Sequence, residues 1–442
     1  MPSNANQNKQ ITWTSSNTSV ATVNSEGLIS VKSTASAGQS ATITAKLTNI
    51  PSITATCNVS VVEKQIDDHT VLVYMCGADL ESENQLATGD IQEILRVSNQ
   101  PSDVNIVIET GGANSWAKTY GISSTNLERW HVENKQLVKD DSLTYASMGS
   151  SSTLQQFIEY GLSNYPAQRT GLILWNHGGG MRGVCYDEKK NDDVLKNSEV
   201  RSAVSGALSN ANMSGQKLEW IGYDACLMAV QDIAETNSQY FNYMVASEES
   251  EAGYGWDYDT WVDDLYAKKP TETILKAIVD GFIADNGGAS SSGDQTLSYL
   301  DLSYASAYKT AWESMATQLY SKVTSSNRSS FNSAITGNVK HYADNDYDYF
   351  CTFDAWDFVD KLANNSAFSS FRIDSSYITA VKNAHANLVK YNLAQKGAGV
   401  SKGLCMYWVN STQYSDVSTY YTTSETNFTQ WRKLNIDRGY HA

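Results

Sequence analysis

The chain contains 442 residues, of which 41% are hydrophobic and 11% are aromatic, and its formal net charge is −16. The apolar content excludes a globally disordered protein, and the lack of a run of about 18 apolar residues excludes a membrane-spanning helix. The acidic balance argues against a nucleic-acid partner, which would need a basic face, and it would attract cationic substrates if it serves more than solubility.

The six cysteines are spaced widely and irregularly, without a CxxC pair, so the sequence indicates neither a zinc site nor a small disulfide scaffold. A cysteine inside an apolar run, as in VLVYMCG or KGLCMYW, is expected to pack as a small hydrophobe. A chemical role therefore has to be argued from the context of each cysteine. They are Cys57, Cys76, Cys185, Cys226, Cys351 and Cys405.

Residues 11–63 are predicted to form a small β-sandwich. Five short segments there alternate apolar and polar residues, have no helical period and are separated by Asn, Ser and Gly turns. Residues 1–10 contain neither the basic stretch nor the apolar core of a signal peptide, so we expect them to be a disordered start. The predicted strands are ITWTS, SVATV, GLISVK, SATITAKL and ATCNVSVV.

The stretch WTSSNTSVATVNSEGLISVKS closely resembles the bacterial immunoglobulin-like domain of group 2. That domain occurs in secreted and cell-surface proteins of bacteria, so the resemblance implies an extracytoplasmic setting and a spacer or adhesive role. Contact with a cell surface or a host through this domain is one expectation that follows.

After a predicted polar linker at 64–68, strands and helices alternate, which predicts an α/β domain over 69–442 with a largely parallel sheet flanked by helices. The segment VLVYMC at 71–76 is continuously apolar, as expected for a parallel strand covered on both faces. A core over about 69–300 is followed by an α-rich part over about 301–442. The other predicted strands are VNIVIET, the hairpin around RWHVENKQLV, GLILWN, KLEWIGY and YMVAS, and the predicted helices include SSTLQQFIEYGL, SEVRSAVSGALSN, CLMAVQDIAE and TETILKAIVDGFIADN.

Two reactive side chains follow the ends of two successive predicted strands. His177 comes after GLILWN and before three glycines, and Cys226 comes after KLEWIGYDA, where a helix is predicted to begin. Because the loops beyond the carboxyl ends of parallel strands form the ligand crevice of an α/β sheet, these side chains are expected to face each other.

The chemistry of a cysteine hydrolase fits this pair. A thiol is mostly protonated at neutral pH and reacts as the thiolate, so it needs an imidazole to accept its proton, and a helix N-terminus would lower its pKa. Glycines after His177 allow a substrate to approach closely, and the backbone N–H groups of Gly178 and Cys226 are the expected oxyanion donors. Taken singly, His177 could be a hydrogen-bonded loop residue and Cys226 a packed thiol.

The order and spacing of the pair strengthen the hypothesis. His177 precedes Cys226 by 49 residues, the order and approximate spacing of caspases, although GYDACLM stands where caspases have their own local signature. The sequence contains no HExxH, no Cys/His ligand spacing and no GxSxG nucleophile elbow, which argues against a metallohydrolase or a serine hydrolase.

Motifs spread over 69–442 resemble clostripain-type cysteine peptidases: VLVYMCGADLES, ILWNHGGG, IGYDACLMAVQDIAE, ASEESEAGYGWDY, SYLDLS and GLCMYW. The resemblance implies a caspase-like fold, His177 and Cys226 as a catalytic dyad, and cleavage after Arg or Lys. It also implies secretion and self-cleavage between the dyad residues. No organic cofactor is implied. Clostripain is associated with calcium, but the sequence offers no EF-hand loop that would supply the ligands.

Asp224, two residues before Cys226, matches the acidic residue that this family is proposed to place in the pocket for the P1 side chain. Alternate residues of a strand share a face, and a basic P1 side chain needs an opposing carboxylate. The alternative is that Asp224 only orients the local loop. Glu248, Glu249 and Glu251, after the next strand, are the second choices for the P1 acid.

The segment MRGVCYDEKKNDDVLKNSEV, between the two dyad residues, is polar and is predicted to be an exposed loop. If the protein cuts after basic residues, this loop is a substrate for the protein itself. Cleavage is expected after Lys190, with Lys196 as the second choice, and Arg182 and Lys189 are the other basic residues there. The alternative is an uncut surface loop.

The sequence therefore predicts a secreted or cell-surface cysteine endopeptidase that acts on peptide or protein substrates with a basic P1 residue. Two alternatives stay open. One is a surface adhesion protein whose peptidase fold is catalytically silent, and the other is a cysteine peptidase that prefers small or acidic P1 residues. The aromatic stretch HYADNDYDYFCTFDAWDF, at 341–358, is interpreted either as a substrate wall or as a source of calcium ligands.

Overall fold

The computed structural model describes residues 11–32, 34–62, 66–343, 347–409 and 414–440. These residues form two compact units, divided between Ile66 and Asp67. Nowhere in the described ranges is there a helix both long enough and apolar enough to cross a membrane.

The N-terminal unit consists of a three-stranded antiparallel sheet in the order β1-β4-β5 and a two-stranded sheet of β2 and β3. Its small core contains Val20, Ala21, Ala41 and Ile43. The last two are alternate residues of one strand, so one face of that strand is buried, as the alternating pattern predicts. The strands are β1 (Ile11–Ser15), β2 (Ala21–Val23), β3 (Ile29–Val31), β4 (Ser40–Leu47) and β5 (Thr54–Ser60).

The larger unit alternates strands and helices over its first half, as the sequence predicts. Its strands are β6 (Asp67–Cys76), β7 (Val104–Gly111), β8 (Asn126–Glu133), β9 (Gln136–Thr144), β10 (Ala167–Trp175), β11 (Val184–Asp187), β12 (Asp193–Leu195), β13 (Leu218–Asp224), β14 (Phe241–Ala246), β15 (Thr296–Asp301), β16 (Thr352–Asp354), β17 (Val389–Ala394) and β18 (Cys405–Tyr407).

Helices cover the sheet and dominate the C-terminal half, where an α-rich part is predicted. They are α1 (Ala78–Asn84), α2 (Leu86–Arg96), α3 (Ser151–Asn164), α4 (Asn197–Asn210), α5 (Gln231–Asn237), α6 (Tyr258–Tyr266), α7 (Thr271–Asp285), α8 (Ala305–Lys322), α9 (Arg328–Asn338), α10 (Tyr347–Phe350), α11 (Ala355–Asn364), α12 (Ser375–Leu388), α13 (Tyr414–Thr419) and α14 (Thr429–Leu434).

Nine strands of the larger unit form one mixed sheet in the order β17-β15-β14-β13-β10-β6-β7-β8-β9. The central strands from β14 to β7 are parallel, which agrees with the predicted α/β fold. The pairings on both outer sides are antiparallel. The C-terminal half is therefore not purely helical, because β17 returns to the edge of this sheet.

Alternating side chains of β6 enter two different hydrophobic cores. Val71 and Val73 pack on one face of the sheet, whereas Leu72 and Tyr74 pack on the other. All four are fully buried, because helices cover both faces. This burial explains the continuous apolar run of the strand. Because the central strands are parallel, their carboxyl ends lie at the same edge of the sheet.

Candidate active site

Two neighbouring strands bring His177 and Cys226 to the same edge of the sheet. β10 and β13 are parallel, with Trp175 opposite Asp224, so each of the two reactive side chains lies two residues beyond a paired position. The N–H of Asn176 donates to the Asp224 carbonyl oxygen at 3.2 Å, which holds the chains together past the last pair. His177 and Cys226 line the same two cavities.

The Cys226 thiol is partly exposed and accepts a 3.2 Å hydrogen bond from the N–H of Glu251. Burial raises the pKa of this thiol above its ordinary value, while the N–H groups of Glu251, Cys226 and Gly178 act in the opposite direction. Burial therefore favours the neutral thiol. The sulfur is surrounded by donors that favour the thiolate once a base has taken the proton.

The helix predicted to begin at Cys226 begins at Gln231 instead, so that prediction is wrong. Leu227 has a φ of 65°, and its N–H donates to the Glu249 carbonyl oxygen at 3.1 Å. The chain after the cysteine is thus held at the exit of β14. The sequence did not reveal this, because a short apolar run such as LMAV fits a buried extended segment as well as a helix. Backbone N–H groups, rather than a helix terminus, stabilise a thiolate here.

The His177 imidazole contacts Asp79, with 2.8 Å between Nε2 and Oδ1. The two side chains are 41% and 51% exposed. The described side-chain hydrogen bonds of His177 and Cys226 go to Asp79 and to Glu251, and none joins the imidazole to the thiol. The two groups line the same cavities, and in free enzymes a hydrogen bond between such groups often forms only when substrate binds.

Gly178 has a local reason to be glycine. A Cβ atom at this position would lie 2.2 Å from the Cys226 carbonyl oxygen, a distance that no side chain tolerates. Close packing of these two backbones places the Gly178 and Cys226 N–H groups near the sulfur, where both lower the thiol pKa. The same two groups are the oxyanion donors expected from the sequence.

A smaller cavity of about 220 Å³ opens next to the thiol. Asp224, which is 4% exposed, lies at its floor and accepts a 2.9 Å hydrogen bond from the Tyr258 hydroxyl. Burial raises the pKa of Asp224 to about 7, and hydrogen bonds only partly oppose that effect. The side chains around the cavity include Leu80, Trp175, His177, Asp224, Cys226 and Glu251.

Two further carboxyl groups border this floor. A Cβ on Gly255 would lie 2.9 Å from an Asp224 carboxyl oxygen and 3.3 Å from an Asp90 carboxyl oxygen. The carboxyl oxygens of Glu251 are also buried, next to the Asp224 carboxyl. Burial, followed by the charge of Asp224, raises the pKa of Asp90 and of Glu251. In the described part of the chain no Lys or Arg forms an ion pair with any of the three carboxyls, so these carboxyls have no counter-charge in the cavity.

The three second-choice acids, Glu248, Glu249 and Glu251, take different positions in the structure. Glu248 accepts a 2.7 Å hydrogen bond from the Leu404 N–H, and Glu249 accepts one of the same length from the Ala343 N–H. These hydrogen bonds connect the loop after β14 to two other segments of the chain. Glu248 and Glu249 do not line the smaller cavity, whereas Glu251 does. Of the four acids considered, Asp224 and Glu251 are therefore the two that line the smaller cavity.

A larger cavity of about 660 Å³ is also lined by His177 and Cys226. Tyr349 and Phe350, from the aromatic stretch at 341–358, form part of its wall, which fits the interpretation of that stretch as a substrate wall. Residues 344–346 of the stretch lie outside the described residues. The side chains around this cavity include Asp79, His177, Tyr186, Glu188, Asp192, Tyr349 and Phe350.

The segment between His177 and Cys226 is more ordered than the exposed loop that the sequence predicts. β11 and β12 pair antiparallel within it, and the buried Asp187 accepts hydrogen bonds from the Tyr145 hydroxyl and the Met148 N–H, each at 2.8 Å. The stretch 190–193 remains exposed. Of the four basic residues considered, Lys190 is exposed, Lys189 and Lys196 are half-buried, and Arg182 is buried.

The described residues contain no group of three or more His, Cys, Asp or Glu side chains that could hold a metal ion. The calcium expectation therefore stays a prediction from the family resemblance.

Sequence reasoning missed Asp79 and Asp90. Asp79 lies just beyond the end of β6, so the rule that singled out His177 and Cys226, a polar side chain past a buried parallel strand, could have found it. Asp90 lies within the amphipathic helix α2, next to the buried Ile91. An acidic residue on the apolar face of a predicted helix is unusual, and this feature could have singled out Asp90.

Comparisons with known proteins identify the families that the chain matches. A family model for the clostripain family matches residues 73–437, and one for the bacterial Ig-like domain of group 2 matches residues 1–59. Clostripain of Hathewaya histolytica is 24% identical to this chain in an alignment of 422 positions that covers 82% of this chain and 78% of the relative.

Two solved structures share the fold. A secreted C11 cysteine protease of Bacteroides thetaiotaomicron, in complex with an irreversible peptide inhibitor, has a TM-score of 0.60 at 16% identity and covers 83% of this chain and 99% of its own. An inactive zymogen C11 protease of Parabacteroides distasonis has a TM-score of 0.56 at 18% identity, with coverages of 86% and 100%. At such identities the likeness establishes the fold alone.

Proposed function

This cysteine endopeptidase belongs to the clostripain family, and we propose that it cuts after Arg or Lys, with Cys226 as nucleophile and His177 as general base. The observation that supports this most is the smaller cavity, because it joins the thiol to buried carboxyls that lack a counter-charge. The guanidinium or ammonium group of a P1 side chain would supply the missing positive charge.

In the acylation half of the reaction, His177 accepts the Cys226 proton and the thiolate attacks the carbonyl carbon after P1. The carbonyl oxygen becomes an oxyanion, which accepts hydrogen bonds from the N–H groups of Gly178 and Cys226. The C–N bond then breaks, and protonated His177 gives its proton to the leaving amine. The product of this half is a thioester between Cys226 and the P1 residue.

In the second half, water replaces the amine. His177 removes a proton from the water as the oxygen attacks the thioester carbon, and the same two N–H groups hold the second oxyanion. The C–S bond breaks and Cys226 recovers its proton from His177. The leaving segment passes His177, so the larger cavity beside Asp79 and Glu188 is the space available to it.

A panel of fluorogenic peptides that differ only at P1, with Arg, Lys, Ala or Asp, tests this proposal. We expect cleavage of the Arg and Lys peptides and a much lower kcat/KM for Ala and Asp, because only a cation is attracted by the acidic floor. Preferential cleavage of the Ala or Asp peptide would instead support a peptidase for small or acidic P1 residues. A protein that cleaves none of them would support the silent, adhesive alternative.

We also expect the protein to cut itself after Lys190. This side chain is exposed, and its neighbours Glu188 and Asp192 line the larger cavity next to the dyad. The candidate bond therefore lies on a solvent-exposed turn at the rim of the active site, within reach of a second molecule or of the same one. Gel electrophoresis with N-terminal sequencing should reveal a second chain that begins at Asn191.

Matched variants decide the position and the origin of this cut. Lys190→Gln should remove the fragment that begins at Asn191, whereas Lys196→Gln should keep it. Cys226→Ala should stay a single chain. A Cys226→Ala protein cut at the same bond without added protease, or a wild-type protein that stays whole during turnover, would contradict self-cleavage.

Secretion or attachment at the cell surface belongs to the same proposal. The Bacteroides thetaiotaomicron relative is described as secreted, and the N-terminal unit matches the bacterial Ig-like family. Detection of the protein in the culture medium or on intact producing cells would support this location, and confinement to the cell lysate would contradict it.

A further inference from the structure

Asp79 is the carboxylate that contacts the imidazole of the active site. Its Oδ1 atom lies 2.8 Å from Nε2 of His177. The neighbouring Asn176 could not take over this contact, because its amide already donates to the Cys76 carbonyl oxygen at 2.6 Å and accepts from the Tyr186 N–H at 2.7 Å. The Nε2 atom of His177 therefore has the Asp79 carboxylate as its partner.

The fold holds Asp79 in place independently of the contact with His177. β6 is parallel to β10, with Met75 opposite Trp175, so the chain after β6 runs beside the loop that carries His177. Glu81, two residues after Asp79 in α1, is fully buried. Its carboxylate accepts hydrogen bonds from the N–H and the hydroxyl of Thr88 and from the N–H of Ala117. These bonds anchor the helix that presents Asp79.

The chemistry of the contact assigns roles to the two ring nitrogens. An ionised carboxylate only accepts hydrogen bonds, and a neutral imidazole has one N–H, so a neutral His177 bonded to Asp79 carries its hydrogen on Nε2. The lone pair that can accept a proton is then on Nδ1. When Nδ1 takes a proton, the imidazolium gains the full attraction of the carboxylate.

We propose that Asp79 is a positioning residue for His177: it keeps the hydrogen on Nε2, directs Nδ1 to Cys226 and stabilises the imidazolium. This inference rests on the proposed role of His177 as the base. In the free protein both side chains are about half exposed, so water weakens the pair. A substrate segment in the larger cavity covers both of them, since both line that cavity. The contribution is therefore expected in the chemical step rather than in substrate binding.

The kinetic test compares Asp79→Ala with wild type on an Arg peptide. We expect kcat to fall by about tenfold to a hundredfold, less than the roughly 10²–10⁴-fold that a general acid–base group contributes, with KM within about twofold. Asp79→Glu should recover part of kcat. Glu83→Ala is the matched control, because Glu83 is an exposed acid one turn further along α1, and it should keep wild-type kcat.

A spectroscopic test does not depend on activity. Nitrogen-15 NMR of protein labelled only at its six histidines, with His177 identified through His177→Ala, should show the hydrogen on Nε2 in the wild type. In Asp79→Ala a mixture of the two tautomers is expected. If the wild-type protein cleaves no Arg peptide, the proposed function fails, and this measurement still tests the contact between Asp79 and His177.

Three results would overturn the role of Asp79. They are a hydrogen on Nδ1 in the wild-type protein, a kcat of Asp79→Ala within twofold of wild type, and an equal loss in Glu83→Ala. Urea unfolding of each variant identifies a loss that comes from misfolding. If Asp79→Ala is destabilised, Asp79→Glu and the tautomer of the wild-type protein decide the matter.

Discussion

Cys226→Ala is expected to lower peptide hydrolysis to the uncatalysed background. Among the described residues, no other cysteine lines either of the two cavities, so no second thiol can replace the nucleophile. His177→Ala is expected to lower kcat by roughly 10²–10⁴-fold, because the thiol, whose pKa burial raises, then has no base to take its proton. Initial rates on an Arg peptide, with active protein quantified separately, measure both losses.

Two other cysteines provide the controls. Cys57→Ala removes an exposed thiol and should leave rate and stability unchanged. Cys405→Ala removes a buried one and should change the free energy of unfolding by a few kcal/mol at most. The urea midpoints of Cys226→Ala and His177→Ala should stay close to that of the wild type, since both side chains are partly exposed. Wild-type turnover by Cys226→Ala would refute the assignment of the nucleophile.

Asp224→Asn is expected to remove most of the preference for Arg and Lys at P1. The loss of one partner of a buried charge pair costs about 2–5 kcal/mol, which corresponds to roughly a 30-fold to 5,000-fold lower kcat/KM. The amide oxygen can still accept the hydrogen bond of the Tyr258 hydroxyl, so the loop should keep its shape. Glu251→Gln should cause a smaller loss in the same direction.

A peptide with Ala at P1 is the internal control for Asp224→Asn. Its kcat/KM should change much less than that of the Arg peptide, because it makes no charge contact with the cavity floor. Equal losses on the two peptides would mean that Asp224 orients the loop before Cys226 and does not select the P1 side chain.

The raised pKa of Asp224 also leads us to expect that kcat/KM depends on pH. Burial raises the pKa of Asp224 to about 7 in the free protein, so the group is charged above that pH and increasingly neutral below it. For the Arg peptide, kcat/KM relative to that of the Ala peptide should therefore fall as the pH decreases through about 7, because protonation of the base His177 affects both peptides alike, and this acidic limb should disappear in Asp224→Asn. A limb of the same size in the variant would assign the titration to another group.

The sequence was sufficient to predict the parallel centre of the sheet and the strand ends that carry the reactive groups. Continuous apolar runs such as β6 identify strands covered on both faces, and polar residues directly after them stand out. The pairing of β10 with β13 could not be read from the sequence, because local patterns do not encode which strands become neighbours. It is this pairing that brings His177 next to Cys226.

The remaining errors have a common physical origin. The run after Cys226 is buried on all sides, so its apolar pattern has no period that separates a helix from an extended segment. β17 follows α12 without a break, so the sequence offers no turn signal at that boundary. Asp79 also lies just beyond β6, but no local pattern encodes the contact between its carboxylate and the His177 imidazole.

The acidic floor of the smaller cavity also affects how firmly the protein is folded. Burial raises the pKa of Asp224, Asp90 and Glu251, so the folded chain binds protons at these sites more tightly than the unfolded chain does. Their contribution to the free energy of unfolding therefore decreases as the pH rises from the ordinary carboxyl range toward 7. A cationic ligand bound beside these carboxyls should therefore protect the fold against heat.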